Sequence, residues 1–143
     1  MDADHAAITA LVHGYAERID AGDLDGIGAL FADGVYRSER GGRYEGAAAV
    51  AAVLRQLVKL HDDGTPRTKH VTTNLTIEID ATAGTALARS YFTVFQQTAA
   101  IPLQAIVAGR YHDRFVRTDG AWRFADRLIF MDLMGDLSDH LRL

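Results

Sequence analysis

Three residues of this chain, Asp20, His70 and Arg127, could move protons or bind anions, and each stands where ordinary folding rules would not place it. Asp20 is in the last turn of a predicted helix, His70 starts a predicted strand, and Arg127 lies inside a hydrophobic strand. A carboxylate at a helix C-terminus opposes the helix dipole, at a cost of a few tenths to about 1 kcal/mol, so it usually needs a partner. His70 is the natural candidate, which predicts a buried acid/base site in a fold that closes over its first helix.

The chemistry expected of such a site is proton abstraction. A carboxylate on one ring nitrogen of a histidine fixes its tautomer and stabilises the imidazolium that forms when the other nitrogen takes a proton. A general base contributes on the order of 10²–10⁴ in rate, so it acts on protons already acidified by a carbonyl or aromatic system. We expect a ketone, enone or polyketide-like substrate. Arg127 is expected to hold a departing or enolate oxygen, and Tyr15 to hydrogen-bond or donate a proton nearby.

The two members of the predicted dyad also have structural interpretations. His70 has the opposite strand parity to Val71 and Leu75, so it points away from that apolar row unless a β-bulge intervenes. His70 would then only cap the strand. Asp20 lies at the edge of the apolar helix stripe, and the alternative is a solvated residue before a turn.

Arg127 and Tyr15 have structural alternatives as well. Arg127 could be the ion-pair partner of Asp113 or Asp126, across or along strands. Tyr15 could pack in the core with a tethered hydroxyl, as buried tyrosines usually do.

Composition limits the other possibilities. The 143 residues fit one domain, spanning 1–143, which is long enough to bury about two-thirds of its unfolded surface. The chain has 15 Lys and Arg against 19 Asp and Glu, and this net charge of −4 does not indicate a surface that binds nucleic acid. The chain has no cysteine, which excludes disulfides and thiol catalysis.

Neither a metal nor a membrane is expected. The remaining histidines show no ligand spacing typical of zinc or iron, and the proposed chemistry needs no cofactor. No apolar run approaches the roughly 20 residues of a membrane span, and no basic segment precedes the first apolar residues. We therefore expect a soluble cytoplasmic protein.

The elements that must position these residues follow from hydrophobic periodicity. A helix is predicted to end at Gly22, a short second helix begins at Asp23, a strand covers 35–38, and a third helix begins near Gly46. The period then becomes two, and Asp119-Gly120 marks a hairpin between the last two strands. The predicted later strands span 70–80, 85–98, 103–118 and 121–132, and the tail is a short helix or an arm.

Three helices followed by a curved antiparallel sheet predict an α+β domain, a cone-shaped barrel of sheet wrapped around the N-terminal helices. Such a cone contains a cavity. The side chains expected to line it and bind substrate are Phe92, Phe95, Tyr111, Phe115 and Phe130.

Six short stretches together resemble the nuclear transport factor 2-like superfamily, and within it the SnoaL-like branch. They span 15–23, 30–33, 45–46, 68–74, 109–114 and 120–127. The branch includes scytalone dehydratase, bile-acid 7α-dehydratase and hexachlorocyclohexane dehydrochlorinase. The resemblance implies that Asp20 orients His70, that His70 removes a proton, and that Arg127 helps the leaving group or substrate. Tyr15 corresponds to a tyrosine of the bile-acid enzyme.

Two classes of function remain open. The first is a cofactor-independent lyase or isomerase, of dehydratase, double-bond isomerase or polyketide-cyclase type, acting on a small hydrophobic or polycyclic molecule. The second is a non-catalytic ligand-binding or assembly subunit of the same fold, because similarity of fold does not decide function. Relatives associate through the outer face of the sheet, so a homodimer or homotrimer is expected.

Overall fold

Three helices form the first half of the molecule, whose computed structural model describes residues 2–143. They are α1 (Ala3–Asp20), α2 (Leu24–Leu30) and α3 (Ala47–Leu57). The side chain of Asp2 accepts a hydrogen bond from the backbone N–H of His5 and caps α1, and Asp23 caps α2 in the same way through Gly26. Gly22 has φ 75°, which ends the first helix and reverses the chain into the second.

A six-stranded sheet forms the second layer. Its strands are β1 (Val35–Ser38), β2 (Arg43–Glu45), β3 (Thr68–Asp80), β4 (Thr85–Gln96), β5 (Gln104–Thr118) and β6 (Ala121–Met134). Their order in the sheet is β2-β1-β6-β5-β4-β3. The α+β prediction is confirmed.

Two details of the predicted sheet are corrected. The sheet is mixed, because β1 runs parallel to β6 while the other neighbours are antiparallel. The two edge strands, β2 and β3, do not pair with each other, so the sheet is open and is not a closed barrel. Strand β2 was not predicted from the sequence. It has only three residues, two of them charged, which is too short to show the alternation of apolar and polar side chains typical of a strand.

The core lies between the helices and the inner face of the sheet. Helix α1 supplies Ile8, Val12, Tyr15 and Ile19, each at most 4% exposed. The inner positions of β4 and β5 contribute alternating buried residues against them. This packing brings the last turn of α1 next to the first residues of β3.

The C-terminal segment, residues 136–143, returns to the helices. It makes one turn, and Leu141 then forms a β-bridge with Val58 directly after α3. The predicted arm is therefore a fixed part of the fold. Within residues 2–143, none of the helices is long and apolar enough to cross a membrane.

Candidate active site

Asp20 and His70 are in direct contact. The Oδ1 atom of Asp20 lies 2.6 Å from Nδ1 of His70, although the two residues are 50 positions apart in sequence. Oδ2 accepts a hydrogen bond of 2.8 Å from the backbone N–H of His70, and Oδ1 accepts one of 2.9 Å from the Thr68 hydroxyl. The two side chains are only 12% and 6% exposed. The carboxylate is therefore held by three donors from the start of one strand.

These contacts explain how a carboxylate persists at a helix C-terminus. Burial opposes its ionisation, but the hydrogen bonds and charge of His70, with the Thr68 hydroxyl, outweigh burial and lower the pKa of Asp20 below its ordinary value. Asp20 is thus an anion, and its Oδ1 accepts the Nδ1–H of His70 when the imidazole is in its neutral form. The other ring nitrogen, Nε2, then carries the lone pair.

A β-bulge turns His70 inward. The pairing of β3 with β4 changes register between Thr73 and Thr76, and Asn74 within this interval has φ 55°. Before the bulge the even-numbered residues face the helices, and after it the odd-numbered residues do. Val71 is consequently 40% exposed, while His70 reaches the interior. The strand parity predicted from the sequence allowed His70 to face the core only if a β-bulge intervened, and the structure contains that bulge.

His70 forms part of the wall of a cavity of about 310 Å³. Apolar side chains from the helices, the inner sheet face and the C-terminal segment make up most of the lining, so the cavity is mainly apolar. Its volume is within the range of small-molecule sites. The polar side chains in the lining are Tyr15, Tyr36, Ser38, Arg40, Tyr44, His70, Tyr111 and His140.

Two phenols form a polar spot in this wall. The hydroxyls of Tyr15 and Tyr36 are 2.7 Å apart, and the Tyr111 ring packs edge-on against Tyr15 with 5.8 Å between centroids. Burial raises the pKa of Tyr15, Tyr36 and Tyr111, so all three phenols stay protonated near neutral pH. A protonated phenol is a hydrogen-bond donor, which is what a developing oxyanion requires.

Arg127 does not line the cavity. Its side chain is fully buried and forms a two-point ion pair with Asp113, at 2.8 Å from Nε and 2.9 Å from Nη2. Burial opposes its charge, but Asp113 more than compensates and raises the pKa of Arg127. The expected contact between Arg127 and a substrate oxygen is therefore corrected. Asp113 and Arg127 are direct cross-strand partners on the inner face, and Asp126 instead pairs with Arg37.

The guanidinium of Arg127 nevertheless lies behind the tyrosine wall. Its central carbon is 4.3 Å from the ring centre of Tyr15 and 3.7 Å from that of Tyr111. Both rings belong to the cavity lining. The cation therefore makes cation–π contacts with two rings of the cavity wall from the side away from the cavity.

The aromatic residues expected to bind substrate divide into two groups. Phe92 and Tyr111 line the cavity, and their rings stack at 4.5 Å. Phe95, Phe115 and Phe130 do not, which corrects the prediction for those three. Phe95 is 37% exposed on the outer side of β4, and Phe130 stacks outside with Arg110, 4.2 Å away. Phe115 is buried in the core against Phe124, at 4.7 Å.

Tyr36 and His140 are polar lining residues that sequence reasoning missed. Tyr36 lies on a four-residue strand and His140 in the tail, where neither periodicity nor motif spacing marks an inward position. Within residues 2–143, no group of three or more His, Cys, Asp or Glu side chains is arranged to hold a metal ion.

Comparison with known proteins gives a consistent fold. A family model described as "SnoaL-like domain" matches residues 3–128. A variant of Rv3472, a protein of unknown function from Mycobacterium tuberculosis, superposes with a TM-score of 0.74 at 29% identity, covering 92% of this chain and 73% of that chain. No curated protein matches the chain.

Two further solved structures share the fold at lower identity. A putative scytalone dehydratase from Novosphingobium aromaticivorans has a TM-score of 0.73 at 22% identity, covering 93% of this chain and 87% of that one. ActVI-ORFA from Streptomyces coelicolor has a TM-score of 0.73 at 20% identity, covering 92% and 98%. At these identities the likeness establishes the shared architecture alone.

Proposed function

This chain belongs to the SnoaL-like domain family, and on that premise we propose that it is a cofactor-independent lyase or isomerase in which His70, oriented by Asp20, removes an activated proton from a small hydrophobic carbonyl compound. The observation that carries the proposal is the 2.6 Å contact between Asp20 and His70 at the wall of an apolar cavity. An oriented imidazole beside a cavity of ligand size is what general-base catalysis requires.

Proton transfer begins at Nε2 of His70. Asp20 accepts the Nδ1–H, so Nε2 offers its lone pair to a C–H beside a carbonyl group. When the proton moves, the C–H electron pair delocalises onto the carbonyl oxygen and gives an enolate. The imidazolium is stabilised by the adjacent carboxylate of Asp20.

The enolate oxygen needs hydrogen-bond donors, and we assign this role to Tyr15 and Tyr36. Their hydroxyls are 2.7 Å apart, and only one of them can donate to the other, so the remaining phenolic proton is free for a ligand oxygen. Arg127 supplies positive charge from behind the Tyr15 and Tyr111 rings. Arg127 is a positioning residue in this scheme, because it does not contact the cavity.

The same first step leads to three outcomes. In a dehydration, the C–O bond to a β-hydroxyl breaks and the leaving oxygen takes the proton from His70. In a double-bond isomerisation, the proton returns to a different carbon. In a cyclisation, the enolate carbon attacks a second carbonyl of the same molecule, and the alkoxide that forms takes the proton from His70. The structural neighbour named as a scytalone dehydratase supports the dehydration outcome by analogy.

The proposal can be tested without the natural substrate by hydrogen–deuterium exchange of 1-tetralone, a bicyclic ketone with acidic protons beside its carbonyl. In D₂O, followed by proton NMR, the wild-type protein should accelerate loss of those signals. His70→Ala should lower the protein-dependent rate by on the order of 10²–10⁴. His13→Ala, which removes an exposed histidine of α1, is the matched control. If the wild type and His70→Ala exchange the ketone protons at the same rate, the assignment of His70 as the general base is wrong.

The outer face of the sheet supports a second proposal, self-association. Leu87 and Tyr91 project from β4 away from the helices and are 53% and 52% exposed. The two side chains lie on the same outer face, one on each side of Arg89, and exposed apolar side chains on a sheet face are typical of protein contacts. We propose that a second copy of the chain covers them, in a homodimer or homotrimer.

Light scattering during size-exclusion chromatography tests this association. The wild type should elute as an oligomer, and the double variant Leu87→Glu/Tyr91→Glu as a monomer. Ala10→Glu, on the exposed side of α1, should leave the oligomer intact. A purely assembly-related function predicts, in addition, that ketone exchange is absent in every variant.

A further inference from the structure

A second imidazole belongs to the cavity that contains His70. His140, in the C-terminal segment, lines this cavity and is only 4% exposed. Its ring meets that of His70 edge-on, with 5.8 Å between centroids and 66° between planes. The cavity therefore has a polar end built from two histidines in an otherwise largely aliphatic neighbourhood.

The backbone holds His140 firmly in this place. Its carbonyl accepts a 2.8 Å hydrogen bond from the N–H of Lys59, and its own N–H donates to the carbonyl of Leu137 at 3.0 Å. On its other side, the N–H of Arg142 donates to the carbonyl of Leu57 at 2.8 Å. The ring is thus presented by a segment tied to the end of α3, which is the preorganisation that ligand recognition needs.

The side chain itself is left incompletely bonded. Nδ1 of His140 is buried and has no hydrogen-bond partner among residues 2–143. A buried polar atom without a partner destabilises the folded state, and such atoms in native proteins require a specific explanation. Because Nδ1 has no accessible surface, the nitrogen that a ligand in the cavity would reach is Nε2, on the other side of the ring.

His140 stays neutral when the cavity operates. Burial, the neighbouring His70 and His61 lower the pKa of His140 to about 3, against an opposing effect of Asp20. Protonation of His70 during catalysis would make a charge on His140 still less favourable. His140 is consequently neither a general acid nor a counter-charge for an anion. A neutral imidazole offers one donor and one acceptor, which suits a hydroxyl or carbonyl oxygen.

We propose that His140 is a substrate-binding residue that hydrogen-bonds a second oxygen substituent of the ligand, so that the substrate is a cyclic or polycyclic ketone oxygenated at two positions. One oxygen is the carbonyl held at the Tyr15–Tyr36 pair, and the other is a hydroxyl or keto group held at His140. This assignment rests on the proposed function, because it takes the cavity as the site of ketone binding.

Matched ligands test the assignment. 1-Tetralone is compared with its 5-, 6- and 7-hydroxy derivatives by isothermal titration calorimetry on the full-length protein. The wild type should bind at least one hydroxy derivative about tenfold more tightly than 1-tetralone itself, the gain expected of one good hydrogen bond. His140→Phe keeps the ring volume but removes both nitrogens, and it should abolish that gain.

Two further variants make the result specific. His140→Gln retains a donor and an acceptor, and it should recover part of the preference. Leu141→Ala removes apolar lining from the same segment, and it should weaken binding of 1-tetralone and its hydroxy derivatives by the same factor. Thermal unfolding shows whether each variant is folded.

The outcomes separate this inference from the proposed function. A wild type without preference for any hydroxy derivative, whether it binds all the ketones or none, overturns the role of His140. So does a preference that survives in His140→Phe. The catalytic proposal is judged independently by exchange of 1-tetralone in wild type and His70→Ala, a comparison in which the second oxygen has no part.

Discussion

The left-handed backbone of Asn74 turns the side chain of His70 onto the inner face of the sheet. Asn74 has φ 55° and lies in the bulge where the pairing of β3 with β4 changes register. Without the extra residue, alternation along β3 would place His70 and Leu75 on opposite faces. The bulge puts both on the side of the helices, and Asp20 can then reach the imidazole.

Substitution of Asn74 should reveal the cost of this backbone. Asn74→Val places a β-branched residue in the left-handed region, which costs about 1–2 kcal/mol, whereas Asn74→Gly should be close to neutral. Urea unfolding of both variants checks this difference. Equal stability of the valine variant and the wild type would show that the strand relaxes to a regular ladder. In that case His70 would leave the cavity and ketone exchange would be lost.

Much of the architecture is readable from the sequence because local patterns determine it. The stripe from Ile8 to Ile19 and the alternation in β4 are produced by side chains whose burial repeats with the period of the element. Asp20 stands out because its position conflicts with the helix dipole, and such conflicts tend to mark sites.

The remaining features of the site depend on tertiary structure. No periodicity shows that a bulge at Asn74 reverses the parity of β3, or that Arg127 lies opposite Asp113 and is fully buried. Tyr36 and His140 belong to short segments, and their inward orientation follows from neighbours distant in sequence. Phe130 was misassigned for the same reason, because the change of register between β5 and β6 at Phe115 alters which face it occupies.

Asp20→Asn should separate orientation from simple packing. The amide keeps the size of the carboxylate but no longer favours the Nδ1–H tautomer of His70. We expect ketone exchange to fall by about 10² or more, and nitrogen-15 NMR of the His70 ring to show more of the Nε2–H tautomer. A purely structural Asp20 would leave the tautomer unchanged. The conservative variant Asp20→Glu tests whether charge without the same geometry restores part of the rate.

Acid should remove the stabilisation that Asp20 provides. Its folded-state pKa is below the unfolded value of about 3.9, so the stabilisation is present above that pH and is lost as the pH falls through the folded-state pKa. The difference in unfolding free energy between wild type and Asp20→Asn should therefore shrink as the pH falls below about 4. Urea unfolding at a series of pH values measures it. A difference that keeps growing below about pH 4 would contradict the lowered pKa.

Breaking the buried pair of Asp113 and Arg127 should be costly. Arg127→Met leaves Asp113 as an unpaired buried charge, and we expect the unfolding free energy to fall by about 3–5 kcal/mol. The double variant Arg127→Met/Asp113→Leu removes both charges and should recover most of that loss. If Arg127 served substrate contact alone, the single variant would be nearly as stable as the wild type, and the double variant would show no recovery.

Tyr36→Phe tests the phenol pair as the oxyanion site. The substitution removes one of two hydroxyls 2.7 Å apart and leaves Tyr15 without its partner, so the site keeps its shape but loses one donor. Loss of an oxyanion donor typically costs about 10²-fold in rate, and the lost hydrogen bond about 1 kcal/mol in stability. We expect exchange of 1-tetralone to slow accordingly. Tyr91→Phe, on the outer face of β4, is the matched control and should exchange the ketone at the wild-type rate. A Tyr36→Phe variant as fast as that control would remove the phenol pair from the mechanism and leave the enolate oxygen to another donor of the cavity wall.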